Sequence, residues 1–340
     1  MRSVWMTMLL GVVACGSGST VGGADAKPLP GDAPGGDGVV TAFRRCVGRP
    51  FTPIAAAGFA TSGGGFTAAL GGPVHAAEDV VVPSAPHAVA RFAYGALTSA
   101  LTSEPVAVFI DDCSGWRSLG EVTTDADGGV DVPVGQELAP GVYEATFEVL
   151  GDASIVTGYV WSLPAGTHLV ISDIDGTLTT SDTELFLQLL NGSYVPTAYP
   201  MAPELTTTHA DRGHVVVYIT GRPYYLTQRT RDWLAGKAFA AGPLHLAPST
   251  GAALPTNGGV GDFKKAWLEE LVAKGYILDL AYGNATTDIY AYTGAGIAAD
   301  HQWIIGTNGG MDGTNAVVDT WAARVTDVAQ APAVAQPFAW

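Results

Sequence analysis

The chain has 340 residues, enough for two domains, and its 47% hydrophobic and 14% charged content is that of a globular rather than a disordered protein. A formal net charge of −16 leaves no basic footprint for a nucleic acid and no general attraction to anionic membranes. The cations are unevenly spread, however. Eight of the 16 Lys and Arg lie between Arg212 and Lys274, against four acids there, so an anionic substrate can meet a locally positive face.

Residues 1–15 read as a signal peptide. Arg2 gives a positive start, and Met6 to Ala14 is apolar but too short to be an ordinary membrane-spanning helix. Val12-Val13-Ala14-Cys15 resembles a bacterial lipobox, which makes Cys15 a lipidation site. A plain cleaved signal with an incidental Cys15 is the alternative. This stretch predicts an exported bacterial lipoprotein, periplasmic or outer-membrane associated, held at a membrane by its lipid anchor. Residues 16–38, rich in Gly, Ser, Asp and Pro, read as a flexible linker. Cys46 and Cys113 are the remaining cysteines. They form either one disulfide or two buried thiols.

Residues 39–163 read as an all-β domain. Short β-rich runs cover Ala88 to Tyr94, Val106 to Ile110, Val130 to Val134, Gly141 to Leu150 and Ile155 to Trp161, with turn signals such as Asp127-Gly128-Gly129 between them. The runs at 129–134 and 140–147 resemble strands of immunoglobulin-like or transthyretin-like sandwiches, which implies architecture only. No catalytic cluster lies in this half, so its expected role is structural or positioning.

From residue 164 to 310 strands and helices alternate, which predicts a Rossmann-like parallel sheet covered on both faces. Strands are expected at His168–Ser172, His214–Ile219, Ile277–Tyr282 and Gln302–Ile305. Helices are expected at Asp182–Leu190, Pro223–Leu234, Asp262 to about Lys274, and Asp288–Tyr292. Residues 311–340 read as a C-terminal tail without readable chemistry.

Candidate chemistry stands at four strand ends or helix starts. Asp173 and Asp175, in Asp173-Ile174-Asp175-Gly176-Thr177, follow an apolar strand, at the edge where open α/β sheets place ligands. One carboxylate can attack phosphorus while the other handles protons. Tyr218-Ile219-Thr220-Gly221-Arg222-Pro223 offers a hydroxyl, a guanidinium and a helix N-terminus to a phosphate. Asp262-Phe263-Lys264-Lys265 places lysines in a helix's first turn, against the helix dipole, so a role in neutralising the phosphoryl group is expected. Tyr282-Gly283-Asn284-Ala285-Thr286-Thr287-Asp288 supplies oxygen ligands past a further strand. Singly, the last three also read as a strand-to-helix turn, solvated lysines and a helix cap.

Together, and in this order, these blocks resemble the four motifs of the haloacid-dehalogenase superfamily of phosphatases. The resemblance is nearest to the lipins, which are Mg²⁺-dependent phosphatidate phosphatases, and to the C-terminal domain of membrane-associated phosphatidylinositol-transfer proteins. Asp173–Asp182, Val216–Leu234, Gly242–Pro248, Phe263–Leu268 and Tyr282–Gly306 carry it. The resemblance implies a haloacid-dehalogenase-type α/β domain behind the sandwich. It implies Asp173 as nucleophile, Asp175 as acid/base, Thr220 as phosphate-binding hydroxyl and Lys264 as the family lysine, with Lys265 in reserve. Gly221, Arg222 and Lys265 would then bind substrate, and Asp173, Asp175, Asn284 and Asp288 would hold Mg²⁺. The implied partner is a phosphate ester, foremost phosphatidate. Ala285 stands where lipins usually carry arginine, and Thr-Gly-Arg-Pro follows the transfer proteins, whose domain binds phosphatidate without hydrolysis. The retained aspartates favour Mg²⁺-dependent hydrolysis. The alternatives are a phosphatidate-binding module and a phosphatase of soluble phosphomonoesters.

Overall fold

The computed structural model describes residues 43–184, 194–248 and 254–334. Residues 1–38, with Cys15, and most of the helix expected at Asp182–Leu190 lie outside the described residues. No helix among those described is long and apolar enough to cross a membrane.

The first half is a sandwich. Its larger sheet runs in the order β3 (Val80–Val82), β11 (Ile155–Ser162), β10 (Gly141–Val149), β7 (Pro105–Asp111), β8 (Trp116–Thr123). β1 (Arg44–Cys46) joins β10 in parallel. The smaller sheet is β2 (Ala76–Ala77), β4 (His87–Arg91) and β9 (Gly129–Pro133), and β5 (Ala93–Tyr94) pairs with β6 (Ser99–Ala100). Inward residues of both sheets, among them Val108, Phe147, Ala90 and Val132, form one apolar core. The run expected as one strand over Ala88–Tyr94 is broken at Phe92 into β4 and β5. β8 gave no sequence signal because it is an edge strand, half of it exposed and none of it fully buried, with no apolar alternation. Cys46 and Cys113 form a disulfide, with Cα atoms 4.7 Å apart, that closes a 67-residue separation and ties β1 to the β7–β8 turn.

The second half is a six-stranded, wholly parallel sheet in the order β14 (Leu244–Ala247), β13 (Val215–Pro223), β12 (His168–Ser172), β15 (Ile277–Gly283), β16 (Gln302–Ile305), β17 (Asn315–Val317). Val170, Ile171, Val216 and Val217 are all buried, because successive side chains of a central strand face a helix layer on either side. The order reverses between β12 and β15, the switch point where such sheets bind ligands.

Three boundaries differ from the sequence reading. β13 continues through Pro223, with a shift in its pairing to β14 between Thr220 and Pro223. The following α-helix therefore starts at Thr227, after a 3₁₀ turn over Tyr224–Leu226, and no helix N-terminus stands at Thr220. Asp262 is the first residue of the helix Asp262–Ala273 rather than its cap, and its carboxylate accepts from the Tyr290 hydroxyl at 2.7 Å. The segment read as a tail supplies β17 and a helix, Ala322–Gln330. Between them, Trp321 is fully buried and donates from Nε1 to the Thr177 carbonyl at 3.0 Å.

Candidate functional site

Asp173 follows the last residue of β12, and its N–H donates to Tyr282 O at 3.0 Å, which fixes it against β15. Gly176 turns the chain at φ +74; a Cβ there would overlap the side chains of Asn284 and Asp182, so only glycine lets the two loops close together. Asp288 sits in the first turn of the helix Thr286–Gly294, and its Oδ2 accepts the N–H groups of Asn284 and Ala285, each at 3.0 Å. One carboxylate thus caps the helix and shapes the loop.

Lys264 joins these elements. Its ammonium is buried and donates to Asp173 Oδ1 at 2.5 Å and to Asp288 Oδ1 at 2.7 Å. The other oxygen of Asp173 accepts from the Thr177 hydroxyl at 2.8 Å. Burial, with Asp288 and Asp175 nearby, pushes the Asp173 carboxyl up against the pull of Lys264. Burial would lower the Lys264 ammonium, but the two carboxylates outweigh it and hold it above its ordinary value. A lysine that conflicts with its helix dipole is therefore placed by two carboxylates from other elements.

Asp175 has partners of its own. Arg222 Nε donates to it at 2.9 Å and Nη2 at 2.8 Å, a two-armed grip, and Thr220 Oγ1 adds a third bond at 3.0 Å. Arg222 itself is fully buried, and its Nη1 reaches Thr230 Oγ1 at 3.2 Å. The substrate contact expected of Arg222 is corrected: the extension of β13 turns its side chain inward onto Asp175. Thr220 likewise serves Asp175. Gly221 lies half-buried between them. Lys265 is not brought to the site; it pairs with Glu269 at 2.6 Å one turn along its own helix.

The expected metal set of Asp173, Asp175, Asn284 and Asp288 does not form a side-chain cage. Among the described residues no group of three or more His, Cys, Asp or Glu is arranged to hold a metal ion. Lys264 stands between Asp173 and Asp288, Arg222 takes Asp175, and the Asn284 amide donates to Asp182 Oδ1 at 3.1 Å. Asp182 and Thr177 are site residues that the sequence reading passed over, although both lie in the block 173–182. The signal for Asp182 was a carboxylate at the end of an otherwise hydroxyl-rich run. Burial raises its carboxyl too. Four carboxylates, Asp173, Asp175, Asp182 and Asp288, thus stand against two cations, Lys264 and Arg222.

Residues 170–306 match the family model described as the LNS2 domain of PITM 1-3, and residues 73–161 match the β-sandwich domain of PITM 1-3. A β-sandwich domain of this type thus precedes an LNS2 domain. The chain is similar to "Membrane-associated phosphatidylinositol transfer protein 3" of Homo sapiens, 32% identical over 244 residues, 68% of this chain and 23% of that protein. "Protein retinal degeneration B" of Drosophila melanogaster is 32% identical over 262 residues, 74% of this chain and 20% of its own. "Membrane-associated phosphatidylinositol transfer protein 2" of Mus musculus is 31% identical over 222 residues, 64% and 16%. The chain therefore spans about a fifth of the length of these relatives. A solved structure titled "Structure of PhoD" aligns at a TM-score of 0.25 and 14% identity over 46% of this chain and 27% of that one, too low to bear on the fold. These relatives are proteins of eukaryotes, and two of them are named as membrane-associated, which overturns the expectation of an exported bacterial lipoprotein in the periplasm or at an outer membrane.

Proposed function

We propose that the site at the β12–β15 switch point receives the phosphate monoester of a phosphatidate-type lipid and hydrolyses it through Asp173. The observation that carries this reading is the Asp173 carboxylate, buried at the strand end and held by Lys264 and Thr177. The names of the relatives, phosphatidylinositol transfer proteins associated with membranes, support a lipid as the ligand.

The site's chemistry fits Mg²⁺. This ion needs one or two carboxylates beside waters and substrate oxygens, not a protein cage, and the excess negative charge favours it. Asp173 and Asp288 would hold it, and when bound it would screen the phosphoryl group from the carboxylates. The chain's own part is positional. Lys264 neutralises Asp173 and Asp288 and stands where a phosphoryl oxygen would find an ammonium. An Asp173 oxygen attacks phosphorus and forms an aspartyl-phosphate, the ester oxygen leaves as it takes a proton from Asp175, and water, giving a proton back to Asp175, then displaces phosphate from Asp173.

A second reading, recognition without turnover, is favoured by one observation. The two-armed hold of Arg222 on Asp175, completed by Thr220, keeps the expected acid/base occupied. A panel of phosphatidate in micelles, lysophosphatidate and soluble phosphomonoesters, with and without Mg²⁺, separates the two. Phosphate release supports hydrolysis. Retention of phosphatidate without release supports recognition alone. Neither would refute both.

A further inference from the structure

Residues 47–60 cross the outer face of the larger sandwich sheet as a strap. On β10, Tyr143, Ala145, Phe147 and Val149 point into the core, so Glu144, Thr146 and Glu148 line the outer face. Gly48 N donates to Glu144 Oε2 at 2.6 Å, and Trp116 Nε1 donates to Pro50 O at 3.0 Å. Phe51 packs on Phe109 and Trp116, with ring centres 5.0 and 5.1 Å away. The far end closes with Ala57 N on Leu150 O at 2.8 Å and Gly58 N on Gly151 O at 3.1 Å. Glu148 lies between these anchors. It is fully buried, and neither of its carboxylate oxygens has a hydrogen-bond partner among the described residues. A buried carboxylate without donors opposes the packing around it, and lifting the strap would give it water. The strap is therefore held down against a cost, and the Cys46–Cys113 disulfide stands immediately before its first residue.

That bond is asymmetric and open to solution. Cys46 is buried in the core, whereas Cys113 is exposed in the β7–β8 turn. Both line a groove of about 350 Å³ together with Arg45, Gly48, Arg49 and Asp111. This volume falls in the range of small-molecule sites. The Arg49 guanidinium is fixed there, with Nε on Asp111 Oδ2 at 2.9 Å and Nη2 on the Cys113 carbonyl at 3.0 Å. Arg49 and Asp111 balance each other. Arg45 is exposed and meets no carboxylate among the described residues. The groove thus carries one unbalanced positive charge beside the disulfide, in a chain of net charge −16. A thiolate attacks a disulfide at its accessible sulfur, and a cation beside that sulfur draws an anionic thiol.

We propose that Cys46–Cys113 is a reversible redox clasp, opened by an anionic thiol that enters this groove and forms a mixed disulfide on Cys113. The thiolate attacks Cys113 Sγ, and a new S–S bond forms there as the bond to Cys46 breaks. Cys46 leaves with the electron pair and takes up a proton. A second thiol displaces Cys113 in the same way, so two thiols are oxidised to one disulfide while two cysteines are reduced. Without the bond, β1 keeps only its three residue pairs with β10, and the strap lifts from Glu148. This device lies in the sandwich and does not depend on the reading of the Asp173 site.

The test uses the full chain with Cys15→Ser, in which Cys46 and Cys113 are the remaining cysteines. The folded protein is treated at low salt with glutathione, an anionic thiol, or with cysteamine, a cationic one, and the freed cysteines are alkylated and counted by mass. Glutathione should open the bond without denaturant, and a brief exposure should leave glutathione on Cys113 in the peptide map. Arg45→Glu should slow glutathione by about tenfold and leave cysteamine no slower. Lys237→Glu makes the same change in net charge outside the groove, past the helix Thr227–Gly236, and should leave the glutathione rate near that of the parent. On reduction, hydrogen exchange should rise across residues 47–60 and stay unchanged across β12. A bond that opens only in urea, an adduct on Cys46, or an Arg45→Glu effect that both thiols share or that Lys237→Glu matches would overturn the groove as the point of entry. Unchanged exchange across residues 47–60 after reduction would overturn the clasp.

Discussion

Glu104 in the sandwich and Asp173 at the sheet edge are both buried carboxylates, but they are satisfied in different ways. Glu104 accepts the N–H groups of Ala60 and Thr61, each at 2.8 Å, and the Thr61 hydroxyl at 2.6 Å. A Cβ on Gly64 would overlap its carboxylate. Main-chain donors cannot move away, so Glu104 is a fixed staple between the β7 start and the helix Ser62–Ala68. Asp173 is held by an ammonium and a hydroxyl on flexible or rotating side chains. Such partners can turn to an incoming anion. Burial alone does not separate a structural carboxylate from a reactive one; the chemistry of the donors does.

The comparison predicts different responses to mutation. Lys264→Met should have the largest effect on stability. It leaves Asp173 and Asp288 buried without their cation and should cost about 3–5 kcal/mol in urea unfolding. A loss below about 1 kcal/mol would mean the site is far wetter than the structure shows. Arg222→Lys keeps the charge but loses the fork onto Asp175, and should cost about 1.5–3 kcal/mol by the same measurement. If hydrolysis needs Asp175 released, this variant should also raise the rate of phosphate release. Glu104→Gln should cost about 1–3 kcal/mol and leave phosphomonoester retention unchanged, since only the staple is weakened. Altered retention would show that the two halves are coupled.

The smallest expected effect is on pH. Burial, with His214 and Arg324 adding to it, holds the His209 imidazole well below its ordinary value. Its Nε2 meets the Tyr282 hydroxyl at 2.6 Å, and that hydroxyl also accepts from Arg324. The unfolded chain takes up a proton near pH 6.5 that the folded chain refuses at His209, so this group's contribution to stability falls as pH drops below that value, by at most about 1.4 kcal/mol per pH unit. Burial holds His75 and His245 low as well, and they add to the slope with the same sign, so His209→Gln should lessen it without removing it in unfolding curves taken between pH 6.5 and 5.

The convergence of Asp173, Lys264 and Asp288 was legible in sequence because each stands at a fixed offset from a strand end or a helix start. The parallel sheet was legible from the alternation of strands and helices, although its edge strand β14 was not among the strands expected. The inward turn of Arg222 was not. Gly221 and Pro223 are turn-forming residues, and only pairing with β14 carries the strand through them. β17 and the helix Ala322–Gln330 were missed because their fit is tertiary: Trp321 reaches Thr177, and Arg324 stacks on Trp303 at 4.1 Å. The four charged side chains that close on one another, Asp173 with Lys264 and Asp175 with Arg222, were foreseen as neighbours but not as these two pairs.

The most direct test compares wild type and Asp173→Asn for phosphate release from phosphatidate micelles in Mg²⁺, with unfolding curves showing that both are folded. The account predicts release by the wild type and none by Asp173→Asn. Equal release from both, or neither release nor phosphatidate retention by the wild type, would contradict it.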